Sequence, residues 1–186
     1  MTPYTVEMDD FTIDEWHPNE PERSGQAVVE MLAAVLHAVV HDGASVGFIL
    51  PFPIEEARAW WANKIVEDVR AGKRRMLLAW SGGEVAGTVH LNLDTMPNQA
   101  HRAEVSKLLV HPKARRRGIA RALMTELENI ARMEGRTLLT LDTRSGDSAE
   151  PLYLSMGYIF AGAIPRFAHA PDSPALDATS ILYKEL

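Results

Sequence analysis

Glu104-Val105-Ser106-Lys107-Leu108-Leu109-Val110-His111-Pro112-Lys113-Ala114-Arg115-Arg116-Arg117-Gly118-Ile119-Ala120-Arg121-Ala122-Leu123-Met124, running on to Met133, is the stretch whose reading decides the fold. Val105, Leu108, Leu109 and Val110 predict a buried strand over Ala103 to Val110. Pro112 has no N–H to give a ladder and closes it. Ile119, Leu123, Leu127 and Ile130, with Ala120, Met124 and Ala131, recur at helical spacing and predict an amphipathic helix stopped at Gly135. A short basic turn ending in Gly118 joins the two.

That turn suits a pyrophosphate. The first N–H groups of a helix have no partner within it, and the helix dipole adds partial positive charge there. Gly118 admits a ligand close to the backbone, Ala120 keeps the next turn open, and Arg115, Arg116 and Arg117 add charge and donors. The Gly-x-x-x-x-Gly-Lys-Ser/Thr of a Walker loop and the Gly-x-Gly-x-x-Gly of a dinucleotide turn are both missing.

Working outward, Tyr4 to Ile13 could hold a first, edge strand, and Trp16 to Glu22 is a loop. Arg23 to His41 and Ile54 to Arg70 are predicted helices, the first carrying the stripe Val28, Leu32, Val35, Leu36 and Val39. Arg74 to Trp80 and Glu84 to Leu93 form a hairpin across Ser81-Gly82-Gly83. A polar loop, Thr95 to His101, leads into the central stretch. Thr137 to Thr143 is the next strand, parallel to the Glu104 strand because a helix links them. A short helix (Ser148 to Met156), a strand (Tyr158 to Ala163), a loop (Pro165 to Asp177) and a last strand (Ala178 to Lys184) follow.

The 186 residues suit one domain over 1–186, with 46% hydrophobic and 24% charged residues as in ordinary globular chains. With no cysteine there is no disulfide, thiol nucleophile or Cys-based zinc site. A net charge of −6 argues against nucleic acid as a partner, three arginines notwithstanding. No signal peptide and no membrane-length apolar run is visible, so the expected compartment is the cytoplasm.

Val110 followed by Arg115-x-x-Gly118-x-Ala120 resembles the acyl-CoA signature of the GNAT superfamily of N-acetyltransferases, Arg/Gln-x-x-Gly-x-Gly/Ala. Downstream, Ala149-Glu150-Pro151-Leu152-Tyr153-Leu154-Ser155-Met156-Gly157-Tyr158 resembles that family's second motif, Ala-x-x-Leu-Tyr-x-x-x-Gly-Phe/Tyr. The predicted order of elements is also the family's. The resemblance implies an α/β fold (strictly α+β), with one mixed sheet, parallel and splayed at its centre, and helices on both faces. It implies acetyl-CoA as cosubstrate, no metal, and direct transfer to an amine without a covalent enzyme intermediate. The cofactor would lie against Leu108, Leu109, Val110, Arg115, Arg116, Arg117, Gly118, Ile119 and Ala120. The backbone N–H of Leu108 would meet the thioester oxygen, and Val110 the pantetheine arm as an added strand.

By the same resemblance Tyr153 is the acid for the leaving thiolate; packing of the last helix on the sheet is the other reading of that residue. The family often has Asn where Gly146 stands, which puts one cofactor contact in question. Glu104 and Asp142 interrupt apolar runs and are the candidate bases; each could instead face solvent or pair with Arg102, Lys107 or Arg144. His90 and His111 lack metal-ligand spacing and read as structural.

Asp42-Gly-Ala-Ser-Val-Gly-Phe48, Arg102-Ala-Glu-Val-x-Lys-Leu and Leu141-Asp-Thr-x-x-Gly146 further resemble the tabtoxin-resistance acetyltransferases, which act on a β-lactam-containing dipeptide toxin. In that group the residues matching Glu104 and Asp142 serve the amine. The amine (or hydroxyl) of a small molecule, toxin- or antibiotic-like in kind, is the expected acceptor, bound between Gly43 to Trp61 and Arg166 to Pro174, with Trp60 or Trp61 as a wall. Acetylation of a protein or peptide, and a non-catalytic acyl-CoA-binding module, are the alternatives. A monomer and a homodimer are both compatible with the sequence.

Overall fold

The computed structural model describes residues 5–8, 10–19 and 25–186. The predicted starts at Tyr4 and Arg23 fall outside these residues. Eight strands form one sheet in the order β1-β2-β3-β4-β5-β6-β8-β7. They are β1 (Thr5–Glu7), β2 (Thr12–Glu15), β3 (Arg74–Ser81), β4 (Glu84–Asn92), β5 (Arg102–Val110), β6 (Leu138–Arg144), β7 (Ile159–His169) and β8 (Leu176–Glu185). The helices are α1 (Gly25–His41), α2 (Ile54–Trp60), α3 (Val66–Arg70), α4 (Ile119–Met133) and α5 (Ala149–Ser155). The first predicted strand is thus a hairpin of two short strands, Glu7 facing Thr12.

Every neighbouring pair is antiparallel except β5–β6, as the α4 crossover between them requires. The two sheet faces carry separate cores. Ile119, Leu123, Leu127 and Ile130 of α4 pack with Leu77, Val89, Val105, Leu139, Leu141 and Leu182. On the other face Leu32, Leu36 and Val39 of α1 pack with Phe52, Trp61, Met76, Leu78 and Leu109. Helices on both faces and the parallel, splayed centre are as the motifs implied.

Two further elements depart from the sequence reading. The helix over Ile54 to Arg70 is interrupted by a π-turn, Trp61–Ile65, whose Trp61 carbonyl accepts from the N–H of Val66. The extra residue seats Trp61 fully in the core while Trp60 stays half-buried. The predicted loop from Pro165 to Asp177 is mostly strand: β7 runs on to His169 and β8 begins at Leu176. Pro165 is tolerated because β7 is the outermost strand and its ladder with β8 is broken between Ile164 and Ala168.

A candidate acetyl-transfer cleft

Parallel pairing of β5 with β6 covers Arg102–Leu138, Ala103–Leu139 and Glu104–Thr140, and among the described residues goes no further. Beyond Glu104 the strands part. On its other side β5 carries a bulge: Thr88 faces Leu109 and His90 faces Ser106, so the single Val89 stands opposite both Lys107 and Leu108. Lys107 takes a left-handed φ of 51° to make the turn. The inserted residue reverses the alternation, so Val105, Leu108 and Val110 face α4 while Leu109 faces α1. Gly87 lets β4 follow this course, since a Cβ there would lie 2.7 Å from the Leu109 carbonyl oxygen.

The gap between β5 and β6 opens into a cleft of about 770 Å³. Its lining includes Ser106 to Val110, the turn residues Arg115, Arg116 and Gly118, then Ile119, Ala120, Asp142 and Tyr153. Gly118 caps α4 with φ 82°, a left-handed conformation, and a Cβ on it would meet nothing within 4 Å. An open backbone thus precedes the unpaired N–H groups of a 15-residue helix. The three arginines differ. Arg115 pairs with Asp42 at the end of α1 and reaches the Val110 carbonyl oxygen, Nε at 3.4 Å. Arg116 is exposed on the cleft rim, at φ 65°. Arg117 turns away, donating to the Asp10 carbonyl oxygen at 2.9 Å and to Ser81 Oγ at 3.1 Å, so only its backbone belongs to the turn.

Tyr153 is 6% exposed and lines the cleft from α5, its ring 5.7 Å from that of Tyr158. Burial, then the nearby charges of Asp142 and Asp147, push its pKa far above the usual tyrosine value, so its O–H stays protonated. Asp142 is exposed on β6, with Thr179 Oγ1 donating at 3.1 Å to its Oδ2. Glu104 is also exposed, between Asn92 and Thr140 at the fork, and does not line the cleft. The splay therefore brings Tyr153 and Asp142 together with the turn and leaves Glu104 at its edge.

Both proposed acceptor segments contribute. Gly43 to Gly47 and the pair Phe167–Ala168 line the cleft, and Leu50 N–H donates to the Pro171 carbonyl oxygen at 2.7 Å, tying the two regions together. Of the tryptophans, Trp61 is core, while Trp60 stacks edge-on with Phe48 at 5.5 Å. His90 is fully buried, its Nδ1 3.2 Å from an Arg74 nitrogen. His111 accepts from the Lys113 N–H as a cap. Both read as structural. Lys107, Arg144 and Asp147 line the cleft too; as sequence, Lys107 and Arg144 stood only as possible partners of the two acids.

A model of the acetyltransferase (GNAT) family matches residues 40–158, well over half of the chain, and these include the whole β5–α4 unit and Tyr153. The chain belongs to the GNAT family. It is 30% identical over 114 residues to an uncharacterized N-acetyltransferase from Azospirillum brasilense, covering 60% of this chain and 66% of that protein. It is 33% identical over 105 residues to the mycothiol acetyltransferase of Thermomonospora curvata, covering 56% of this chain but 29% of that protein. The chain thus spans less than two thirds of either relative. Among solved structures, one from Salmonella typhimurium holding its cofactor acetyl-CoA superposes with a TM-score of 0.74 at 17% identity, over 96% of this chain and 95% of that one. At that identity the likeness establishes the GNAT fold.

Proposed function

We propose that this chain is an acetyl-CoA-dependent N-acetyltransferase whose acceptor is a small-molecule amine. The observation that carries the reading is the open edge of β5, leading from its bulge to the left-handed Gly118 within one cleft shared with Tyr153 and Asp142. Mycothiol acetyltransferase among the relatives supports a small acceptor. The narrower likeness to tabtoxin-resistance enzymes rests on the three segments quoted above.

The residues present fit the cosubstrate. Gly118 with the α4 N-terminus would hold its pyrophosphate, Arg115 and Arg116 would add charge, and Val110 would pair with its pantetheine amide. When bound, acetyl-CoA supplies an activated acyl group on a thioester. The N–H of Leu108, in the bulge where β6 has already left, is the donor for the carbonyl oxygen. Asp142 takes up the proton that the attacking amine sheds. Tyr153 Oη gives its proton to the leaving sulfur as the C–S bond breaks, and burial keeps that proton in place beforehand.

Isothermal titration of acetyl-CoA, followed by thiol release over a panel of amines, tests this reading. Saturable binding with thiol release for a class of amines is expected. A Gly118→Trp variant that stays folded by circular dichroism should lose binding, because the side chain fills the turn. Undiminished affinity in that variant would put the cofactor elsewhere.

A further inference from the structure

We infer that the acceptor amine carries a carboxylate, and that Lys107 is the residue that recognises it; this rests on the cleft being an acetyl-transfer site. The bulge places Lys107 on the cleft wall, directly before the proposed oxyanion donor Leu108. Its Nζ lies 5.5 Å from the centre of the Trp60 ring and 3.8 Å from where a Gly47 Cβ would stand. It therefore points to the side of the cleft formed by the α1–α2 loop.

Of the other cations of the cleft, Arg116 stands exposed in water on the rim at the Gly118 turn, and the rest are engaged. Arg115 pairs with Asp42, Arg144 with Asp147 and Asp177, and Arg121 donates to Ser155 Oγ at 2.7 Å. Lys107 has no hydrogen bond or ion pair among the described residues, only the Trp60 face and longer-range fields from Asp142, Arg74 and Glu104. Removing an ammonium from water without a hydrogen-bonding anion is costly, and burial accordingly lowers its pKa from the usual lysine value. A left-handed backbone held in a bulge adds strain of the kind that concentrates at functional sites. An anionic group on the acceptor relieves the cost by taking the three donors of Nζ.

Lys107 on β5 and Asp142 on β6 set opposite charges on the two sides of the gap, near enough for the field of Asp142 to act on the ammonium. A molecule with an amine and a carboxylate a few bonds apart presents the complementary pair, its amine toward Asp142 and its carboxylate toward Lys107. The amino acids and short peptides bearing a free carboxylate are the class that satisfies both.

The test compares, in the full chain with acetyl-CoA, a set of amino acids with their amides and their aminophosphonate analogues. For the best acid, kcat/KM should exceed that of its amide by about tenfold or more, the scale of a hydrogen bond to a charged group. Lys107→Met should bring this ratio close to one, mainly through KM for the acid, with acetyl-CoA affinity unchanged. Lys107→Arg should keep most of the preference. Amides used as well as acids by the unaltered protein would overturn the inference without any variant having to fold. So would an acid preference that survives Lys107→Met, and a preference for the phosphonate would reject the carboxylate. Failure of acetyl-CoA to bind is a separate result, and it sinks the acetyl-transfer reading itself.

Discussion

Tyr153 shows how much of the proposed chemistry depends on one side chain's surroundings. Its burial raises the pKa, and a raised pKa keeps the phenol neutral at every pH at which the protein would work. Turnover should therefore show no alkaline fall from this group up to about pH 10, the ordinary tyrosine value. Tyr153→Phe should lower kcat by about a hundredfold, within the usual range for a general acid, with acetyl-CoA affinity kept. Steady-state rates across pH on both proteins check this; equal kcat values would reduce Tyr153 to packing. The position of Tyr153 was legible because a motif fixes it by spacing. The separation of Glu104 from Asp142 was not, since both are acids in apolar strands and only the fork after Glu104 distinguishes them. The same holds for Arg115 to Arg117: three adjacent arginines gave one reading, whereas a turn sends their side chains in different directions.

Among the elements, β5 was readable from its apolar run ending before Pro112, and α4 from a helical period that stops at Gly135. The bulge hid behind an ordinary strand pattern, with Ser106-Lys107 as its faint mark: two polar residues in succession where alternation would place one. Glu128 is a second interruption, on the buried face of α4. It is 6% exposed and accepts from Lys184 Nζ of β8 at 2.6 Å, while the same ammonium donates to the Met156 carbonyl oxygen at 2.8 Å, just past α5. One cation thus joins α4, β8 and the end of the helix that carries Tyr153. Lys184→Ala leaves the buried carboxylate with only Arg132, 3.9 Å away, as its counter-charge and should cost about 3 kcal/mol. Urea unfolding measures that loss, and the double change Glu128→Leu with Lys184→Met should recover most of it. A single variant as stable as the parent would show that the pair does not hold α5 in place. The extent of β7 was missed because glycine, alanine and proline outnumber strand formers there, and pairing with β8 overrides their preferences.

For the molecule as a whole, the sheet is the divider. Its two cores were foreseeable from two classes of amphipathic helix, but not the polar group sealed between the sheet and the α2–α3 segment. His90 is fully buried, 5.4 Å from the Trp61 ring, and burial followed by the charges of Arg74 and Lys107 holds its pKa well below the usual value. The folded chain therefore keeps it neutral where the unfolded chain takes up a proton. Its effect on stability is absent above about pH 6.5 and grows as a loss below it, by up to about 1.4 kcal/mol per pH unit. His37 and His111 are shifted in the same direction but lie nearer solvent and add less. Denaturation midpoints at about pH 7.5 and pH 5.5 should differ by more in the parent than in His90→Gln. An equal pH dependence would assign the acid sensitivity to other groups.

The separation of the two cores has a consequence for how such a protein can be altered. The proposed cofactor turn is built on the α4 side, and the α1–α2 loop that faces Lys107 belongs to the other packing. Residues 43–50 can be exchanged, lengthened or recombined with little disturbance to the packing of α4, provided the Arg115–Asp42 pair before them and the Leu50–Pro171 hydrogen bond are kept. New acceptors are then reachable by grafting on one side, and the inherited half needs no redesign.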